Sequence, residues 1–419
     1  MAGREKRCTV WLFNHYAISP DMPGGTRHFD LGRELVKRGY EVTIFASGFD
    51  HVTHSYVKTK PGEGLRVGNY DGVRFVWLET FPYQRNDWRR VLNMLSYGFN
   101  LWRHHRKFEP PDIIIGSSMH PIAPLVGWWL ARKYGARFLF EVRDLWPQTA
   151  VDMGAMKETS LMAKLLYTWE KFMYQKAEKI IVLLPNAREY IAGKGINPEK
   201  IVWIPNGVDL RRFDGKKLDP SSACAKAFAE HRGKFKVVYA GAHGPANGLD
   251  TVVEAAALML QVDPEIHFFL IGDGPEKERL MKRAQEKNAF NIIFLDPVPK
   301  NEVGAVLGES DLLLFCLRTL DVYKYGISLN KLYDYLASSK PVVMAGQAVN
   351  QVVEEAGAGL VVDPENPEAL VRAILQIKQM PPEERKRLGD NGRKYVEKYH
   401  SIEVLGEKLS QVITEVLQN

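Results

Sequence analysis

Glycine, histidine and charged residues gather at several points of this sequence, each just past a short β-branched run. The first is Pro20-Asp-Met-Pro-Gly24-Gly25-Thr26, followed by an amphipathic stretch with Phe29, Leu31, Leu35 and Val36. Two glycines at a helix N-terminus let the backbone approach a ligand closely, and the unpaired N–H groups there favour an anion such as a diphosphate. An ordinary strand-to-helix turn uses the same residues, but the place at the carboxyl end of a first strand favours the anion site. The second half carries a mirror of this loop in Tyr239-Ala-Gly241-Ala-His243-Gly-Pro-Ala-Asn-Gly-Leu-Asp250. Farther on, Ile271-Gly272-Asp273-Gly274-Pro-Glu276 repeats the strand, glycine turn and helix, a design that suits a nucleotide base lying over backbone groups.

Charged side chains stand at three further points. His120, in Ser-Ser-Met-His120-Pro, follows a strand and has two readings: a contact to a sugar or phosphate, or a capping and packing residue. Phe140-Glu141-Val-Arg143-Asp144-Leu-Trp-Pro147 crowds Glu141, Arg143 and Asp144 into a position expected to face a crevice. Either Asp144 caps the next helix with Arg143 as its structural partner, or Arg143 meets phosphate while a carboxylate meets an acceptor hydroxyl. In Tyr325-Gly326-Ile-Ser328-Leu329-Asn330-Lys331-Leu-Tyr-Asp334, the residues Asn330, Lys331 and Asp334 share one face of a helix. A lysine suits diphosphate oxygens as a point charge and a carboxylate suits a ribose diol, whereas a merely solvated face would need neither.

The elements that must position these groups alternate. Strands are expected near Cys8–Phe13, Glu41–Ala46, Val73–Trp77, Asp112–Gly116, Arg137–Glu141, Lys179–Leu183 and Ile201–Ile204, with helical stretches between them. After Pro205-Asn-Gly-Val-Asp209 and a polar segment from Arg211 to Pro220, the rhythm resumes near Lys236–Ala240, Ile266–Ile271, Asn291–Phe294, Asp311–Phe315, Pro341–Met344 and Gly359–Val361. Such alternation implies an α/β protein of two Rossmann-like, doubly wound domains, residues 1–208 and 209–395. Residues 396–419 belong to a last segment with helical apolar spacing through Leu405, Leu409, Val412, Ile413 and Val416.

Composition narrows the classes. With 419 residues, 45% hydrophobic and 25% charged, both halves should fold, and a net charge of +6 is too modest on this length to indicate nucleic acid. Cys8, Cys224 and Cys316 lie far apart with no CxxC, so neither a disulfide framework nor a zinc site is expected, and a reducing compartment fits. The charged Met1-to-Arg7 start runs straight into Cys8–Phe13, too short for a signal-peptide core. No stretch reaches the ~18 apolar residues of a spanning helix. A cytoplasmic or peripheral membrane protein is expected. One segment, residues 84–107, mixes Trp88, Leu92, Leu95, Phe99 and Trp102 with arginines at both ends, which suits contact with an anionic membrane surface as well as a core-facing helix.

Gly24-Gly25-Thr26, Pro205-Asn-Gly-Val-Asp209, the Gly272-to-Pro275 turn and the Asn330-to-Val343 block together resemble retaining glycosyltransferase family four, of the GT-B fold, over nearly the whole chain. The Glu141-to-Pro147 and Asn330-to-Tyr335 wording looks like a bacterial subset that builds lipopolysaccharide O-antigen, capsule or related lipid-linked glycans, some of whose members transfer N-acetylated amino sugars such as N-acetylfucosamine. The resemblance implies a cleft between the domains, a final helix that crosses back to the first domain, and a UDP-sugar bound mainly by the second. It implies transfer with retention and without a metal or other cofactor, front-face attack, and a departing phosphate that helps take the acceptor proton. The donor is then expected against Gly24, Gly25, Thr26, Gly241, His243, Gly272, Asp273, Gly274, Ser328, Leu329, Asn330, Lys331 and Asp334, with His120, Glu141, Arg143 and Lys331 as the catalytic group.

Two departures stand out against the family pattern. Its paired glutamates, seven residues between, fall on Gly326 and Asp334, and its usual arginine and lysine fall on His243 and Asn247. Lys331, with Arg143, is expected to supply the missing charge. A sugar-phosphate synthase or nucleotide-sugar epimerase of related fold, and a non-catalytic nucleotide-sugar-binding protein, remain the alternatives.

Overall fold

The structure is a computed structural model that describes residues 7–22, 24–85, 87–118, 120–215 and 217–418. Met1 to Lys6 of the charged start, Pro23 of the first glycine loop, Asn86 of the 84–107 segment and Asn419 of the last segment lie outside the described residues. The chain divides into two compact units, Met1–Pro205 with Ile402–Asn419, and Asn206–Ser401.

The first unit is built on β1 (Thr9–Phe13), β2 (Glu41–Ser47), β3 (Leu65–Tyr70), β4 (Val73–Leu78), β5 (Ile113–Ser118), β6 (Arg137–Val142), β7 (Lys179–Val182) and β8 (Ile201–Trp203). Their order across the sheet is β8-β7-β6-β5-β1-β2-β4-β3, all parallel except β3, which pairs antiparallel with β4. Helices cover both faces, so the strands read as continuous apolar runs. On one face Val10, Leu12, Ile44, Phe75, Ile113 and Leu139 meet Phe29, Leu31 and Leu35 of the Arg27–Lys37 helix, together with Leu405, Leu409 and Ile413 of the Ile402–Gln418 helix. The last helix lies so close to the Arg27–Lys37 helix that a Cβ on Gly406 would fall 2.4 Å from Cβ of Glu34.

The second unit carries β9 (Phe235–Ala240), β10 (Ile266–Ile271), β11 (Ile292–Leu295), β12 (Leu312–Cys316), β13 (Val342–Ala345) and β14 (Gly359–Val362), parallel throughout in the order β11-β10-β9-β12-β13-β14. This is the doubly wound order in which the chain reverses direction between β9 and β12, opening a ligand crevice at their carboxyl ends. In the first unit the same reversal falls between β1 and β5.

Every strand expected from the sequence is present, with its ends displaced by no more than two residues. The edge strand β3 is not among the expected ones, because Leu-Arg-Val-Gly-Asn-Tyr lies on a mostly exposed rim and has no apolar run. An Asp71-Gly72 turn with φ of 48° and 84° joins it to β4, and that dipeptide was the available hairpin signal. Two boundaries also differ. The first unit ends at Pro205 rather than at 208, since Asn206 bonds Ser328 through both its backbone N–H and its side-chain amide and Val208 N–H donates to the His400 carbonyl. The return to the first unit begins at Ile402 rather than 396, because the Pro382–Tyr399 helix still belongs to the second.

Candidate active site

In the first unit the groups gather at the carboxyl ends of β1, β5 and β6. Glu141 is 3% exposed: one oxygen takes Arg27 Nε at 3.0 Å, the other takes His28 Nε2 at 2.6 Å and Ser117 Oγ at 2.6 Å. The amide of Asn14, just past β1, reaches both the His28 ring and Ser117. Arg27 goes on to the carbonyl of Ile204 at 2.8 Å and to that of Pro205, where the chain leaves the unit. Burial alone would raise the Glu141 carboxyl, yet His28 and Arg27 hold it well below its ordinary value. Glu141 is therefore an ionised, fully committed anchor. The expectation of a crevice-facing carboxylate at this position is corrected, and the residue is a positioning group.

Thr26 is corrected in a similar way. Its hydroxyl donates to Asp30 Oδ2 at 2.6 Å, and the side chain is buried at the start of the Arg27–Lys37 helix. The loop can offer an anion backbone groups but not this hydroxyl. Gly24 has a φ of 122°, and a Cβ there would sit 2.9 Å from Cδ1 of Ile18; Gly25 is exposed.

His120 meets the capping and packing reading. Nδ1 accepts the Ile122 N–H at 3.2 Å at the start of the Ile122–Tyr134 helix, so the neutral ring carries its proton on Nε2. That Nε2 is buried and has no partner among the described residues, and burial, with Arg90 nearby, holds the imidazole down to about 3. It remains a neutral hydrogen-bond donor at any working pH. Arg143 donates its backbone N–H to Ser118 Oγ at 3.1 Å, and its guanidinium Nε lacks a partner among the described residues. Asp144 is exposed and caps nothing, since the next helix, Gln148–Asp152, is preceded by Pro147.

In the second unit the reversal point is occupied by Lys331. The helix Asn330–Ala337 starts after Leu329, and Lys331 Nζ runs across the ends of β9 and β12, 4.8 Å over the Tyr239 ring and 4.9 Å over the Phe315 ring. It donates to Tyr239 Oη at 3.1 Å and to the side-chain oxygen of Asn247. Burial pushes this ammonium down to about 7, and the Cys316 thiol beside it is itself raised by burial to about 12. Gly241 lies against it: a Cβ there would fall 3.2 Å from Lys331 Cδ.

Backbone glycines close the loops beside this lysine. Gly272 and Gly274 have φ of 151° and 154°, and a Cβ on either would lie 1.9 Å from the Gly241 carbonyl oxygen or 2.5 Å from that of His243. His243 N–H donates to the Asp273 carbonyl at 2.8 Å, and Glu276 N–H returns to the His243 carbonyl at 3.0 Å. The His243 ring is 0% exposed with neither nitrogen partnered among the described residues, and burial, then Lys277, lower it to about 4. It is no substitute for a cation. Asp273 is exposed and accepts the Gly274 N–H at 2.8 Å.

The helix face expected to hold Asn330, Lys331 and Asp334 together splits in the structure. Asp334 pairs with Lys300 Nζ at 2.6 Å, a partner not visible from the sequence, while Lys331 turns to Asn247. Ser328 is also committed, its hydroxyl accepting the Asn206 N–H at 2.8 Å and its carbonyl taking the Asn206 amide. Leu329 is half-buried and precedes the helix, whose first residue is Asn330. Gly326 has φ 93° and ψ 179°, a region open essentially only to glycine, which explains why no glutamate stands there. Among the described residues no three His, Cys, Asp or Glu side chains converge as metal ligands.

Two doubly wound units in one chain, with a cationic group at the reversal point of the second and a final helix returned to the first, define an enzyme of the GT-B class. A Glycosyl transferase 4-like domain matches residues 24–207 and a Glycosyl transferases group 1 domain matches residues 225–395. The chain belongs to this glycosyltransferase family. Among curated relatives, WbjE of Pseudomonas aeruginosa, provisionally a glycosyltransferase, is 24% identical over 81% of this chain and 84% of its own length. WcaI of Escherichia coli, assigned provisionally to colanic acid biosynthesis, is 24% identical over 87% of this chain and 90% of its own. Among solved structures, sucrose-phosphate synthase from Thermosynechococcus elongatus superposes with a TM-score of 0.75 at 20% identity, covering 98% of this chain and all (100%) of that one. WaaG, a glycosyltransferase involved in lipopolysaccharide biosynthesis, gives 0.66 at 15% identity, covering 97% and 99%. At these identities the structural likenesses establish the fold.

Proposed function

We propose that this glycosyltransferase moves a sugar, of the N-acetylated amino-sugar type, from a UDP-sugar to a lipid-linked or glycan acceptor in cell-surface polysaccharide synthesis. The observation that carries the donor reading is Lys331, seated at the reversal point of the second unit beside the backbone of Gly241. An ammonium and the first amides of the Asn330–Ala337 helix can stabilise the charge that develops on a departing diphosphate without a metal. The acceptor oxygen bonds to the anomeric carbon as the bond from that carbon to the phosphate oxygen breaks. The acceptor proton passes to the departing phosphate, and retention follows from attack on the same face. The His120 Nε2–H, which has no partner among the described residues, is suited to a hydroxyl of the transferred sugar. The WcaI relative, assigned provisionally to colanic acid biosynthesis, supports polysaccharide synthesis as the setting.

The membrane side of the reading rests on the Trp88–His104 helix. Its inner stripe, Asn93, Tyr97, Leu101 and His104, is buried, while Trp88, Val91, Leu95, Phe99 and Trp102 form an outer stripe, each 47–63% exposed. No helix among the described residues is long and apolar enough to cross a membrane. Arg89, Arg103, Arg106 and Lys107 flank the apolar stripe, which suits peripheral contact with the anionic inner face of the cytoplasmic membrane.

The test is to incubate the full chain with labelled UDP-sugars, including UDP-N-acetylated amino sugars, and a membrane lipid extract, with and without EDTA. Labelled product in the lipid phase and UDP release, both unaffected by EDTA and lost in Lys331→Ala, are expected. No nucleoside diphosphate released from any UDP- or GDP-sugar would overturn the reading. Sedimentation with anionic vesicles at low salt, lost on Leu95→Ser with Phe99→Ser, is expected of the membrane contact; absence of binding at low salt refutes it.

A further inference from the structure

At the carboxyl ends of β13 and β14 the second unit holds a cavity of about 350 Å³, between the short Val352–Glu355 helix and the start of the Pro367–Gln379 helix. None of its lining residues belongs to the candidate active site. Val361, Val362 and Ala369, all half-buried, form its apolar part. Gln347, Gln351, Glu354 and Asp363 form its polar part. The Gln347 amide donates to Asp363 Oδ1 at 3.1 Å, which orients that carboxylate and leaves Oδ2 to accept from a ligand. The Gln351 side-chain oxygen is buried and has no partner among the described residues, which is uncommon for a buried polar atom.

The lining chemistry selects a ligand class. Among the described residues no lysine or arginine lines the cavity, and the helix N-terminus beside it is already capped, the Asn366 side chain accepting the Ala369 N–H at 2.9 Å. Two carboxylates without a cation repel a phosphate or another carboxylate. No aromatic ring among the described residues lines it to face a quaternary ammonium, and no three His, Cys, Asp or Glu side chains converge there on a metal. Oxygens that accept, an amide that donates and a small apolar floor suit a ring with hydroxyls on its edge and C–H groups on its face. A neutral pyranose has that pattern. The volume lies near the low end of the roughly 300–1,000 Å³ of small-molecule sites, which limits the ligand to one or two such rings.

The loop that supplies Gln347 and Gln351 also grips the segment leading to Lys331. Val349 N–H donates to the Tyr323 carbonyl at 3.2 Å, and the Asn350 side chain holds both the N–H and the carbonyl of Ile327, at 2.7 and 2.9 Å. Ile327 precedes Lys331 by one turn of chain. A ligand held by Gln347 and Gln351 therefore orders this segment, and a segment already ordered costs a second ligand less. We propose that the cavity is a saccharide site, separate from the reacting one, and that a neutral sugar bound in it tightens the binding of nucleotide at Lys331. The sugar site stands on the cavity alone; the coupling rests on the reading of Lys331 as the nucleotide site.

The experiment titrates the full chain with the methyl glycosides of glucose, galactose, mannose and N-acetylglucosamine, followed by saturation-transfer NMR with excess UDP present to fill the nucleotide site. Binding of at least one glycoside is expected, with affinity about tenfold lower in Asp363→Ala and in Glu354→Gln. Both positions are exposed, so an unchanged melting profile is expected of each variant. Methyl glucuronide, an anion, should not bind. No signal from any of the four glycosides, affinity that survives both substitutions, or equal binding of the glucuronide overturns the site. Spermidine bound in place of every glycoside assigns the rim to ammonium groups and overturns the saccharide. UDP affinity is then measured by calorimetry with and without the bound glycoside: a gain of about fivefold, absent in Asp363→Ala, is expected, and an unchanged affinity overturns the coupling. Failure of UDP to bind the unmodified chain sinks the donor reading, while the glycoside titration, repeated without UDP, still decides the cavity.

Discussion

Lys331 Nζ hydrogen-bonds the side-chain oxygen of Asn247, eighty-four residues earlier in the chain. Asn247 is the position at which the resembled family's pattern has its lysine. The ammonium thus reaches Asn247 from the Asn330–Ala337 helix, whereas a lysine at 247 would come from the loop after β9. Asn247 is held in turn by its amide, which donates to the Ala242 carbonyl at 2.9 Å.

If position rather than parentage of the charge matters, a lysine moved to the loop should partly replace it. Lys331→Ala is expected to lower turnover by about 10²–10³, the usual loss for one preorganised group at a developing charge. Lys331→Ala with Asn247→Lys should recover part of that loss. Initial rates of UDP release measure both, and a double variant no better than the single one refutes the equivalence of the two positions.

The pH dependence follows from the burial of Lys331, which brings its ammonium from an ordinary 10.5 to about 7. Diphosphate binds the protonated form, so affinity for UDP is expected to be flat below neutrality and to weaken by about tenfold per pH unit above it. Binding near neutral pH should also take up a proton, which calorimetry in buffers of different ionisation heat reads directly. Lys331→Arg keeps its charge and should flatten the profile. The unligated second unit has the opposite slope: between about 7 and 10.5 the unfolded chain still holds this proton and the folded one does not, so that contribution to stability rises with pH. A UDP affinity constant from neutral to alkaline pH refutes the argument.

Glu141→Gln should act on folding more than on donor affinity. It leaves Arg27 and His28 buried beside an uncharged amide, and breaking a buried ion pair by removing one partner costs about 3–5 kcal/mol. The expected outcome is a lowered melting transition for the first unit with UDP binding retained by the second. In the native chain the Glu141 contribution is fully present above the ordinary carboxyl range and is lost as pH falls toward its depressed value. A melting profile like that of the unmodified chain would show that the network is dispensable.

Much of the architecture was legible because strands covered on both faces carry unbroken apolar runs, as in Ile113-Ile-Ile115 and Leu312-Leu-Leu-Phe315. The exposed rim strand Leu65–Tyr70 has no such run and escaped. At the candidate site the residue types were legible and their partners were not. Glu141 stood out by type and place, but Arg27, 114 residues earlier, decides that it is an anchor and not an open carboxylate. Lys300 and Asp334 are 34 residues apart, and nothing in helical spacing joins them. His15 and Tyr16 follow β1 without any pattern of their own, and only the fold brings His120 against them.

Restoring the family's first glutamate by Gly326→Glu is expected to harm the enzyme. Gly326 is buried and sits at φ 93°, ψ 179°, where any side chain is strained by about 1–3 kcal/mol. Its neighbours fix that conformation: Gly326 N–H donates to the Tyr323 carbonyl at 3.0 Å, and Ile327 is clamped by Asn350, whose side chain accepts the Ile327 N–H at 2.7 Å and donates to the Ile327 carbonyl at 2.9 Å. A glutamate would add a buried carboxylate to the strain, whereas Gly326→Ala adds the strain alone. Both variants should melt earlier and lose activity, the glutamate more than the alanine, because the segment that leads into Lys331 must shift to accept a Cβ. Gain of activity in Gly326→Glu, measured by transfer to lipid at fixed donor concentration, would mean that the backbone here adapts and that the absent acid, not the glycine geometry, limits the reaction.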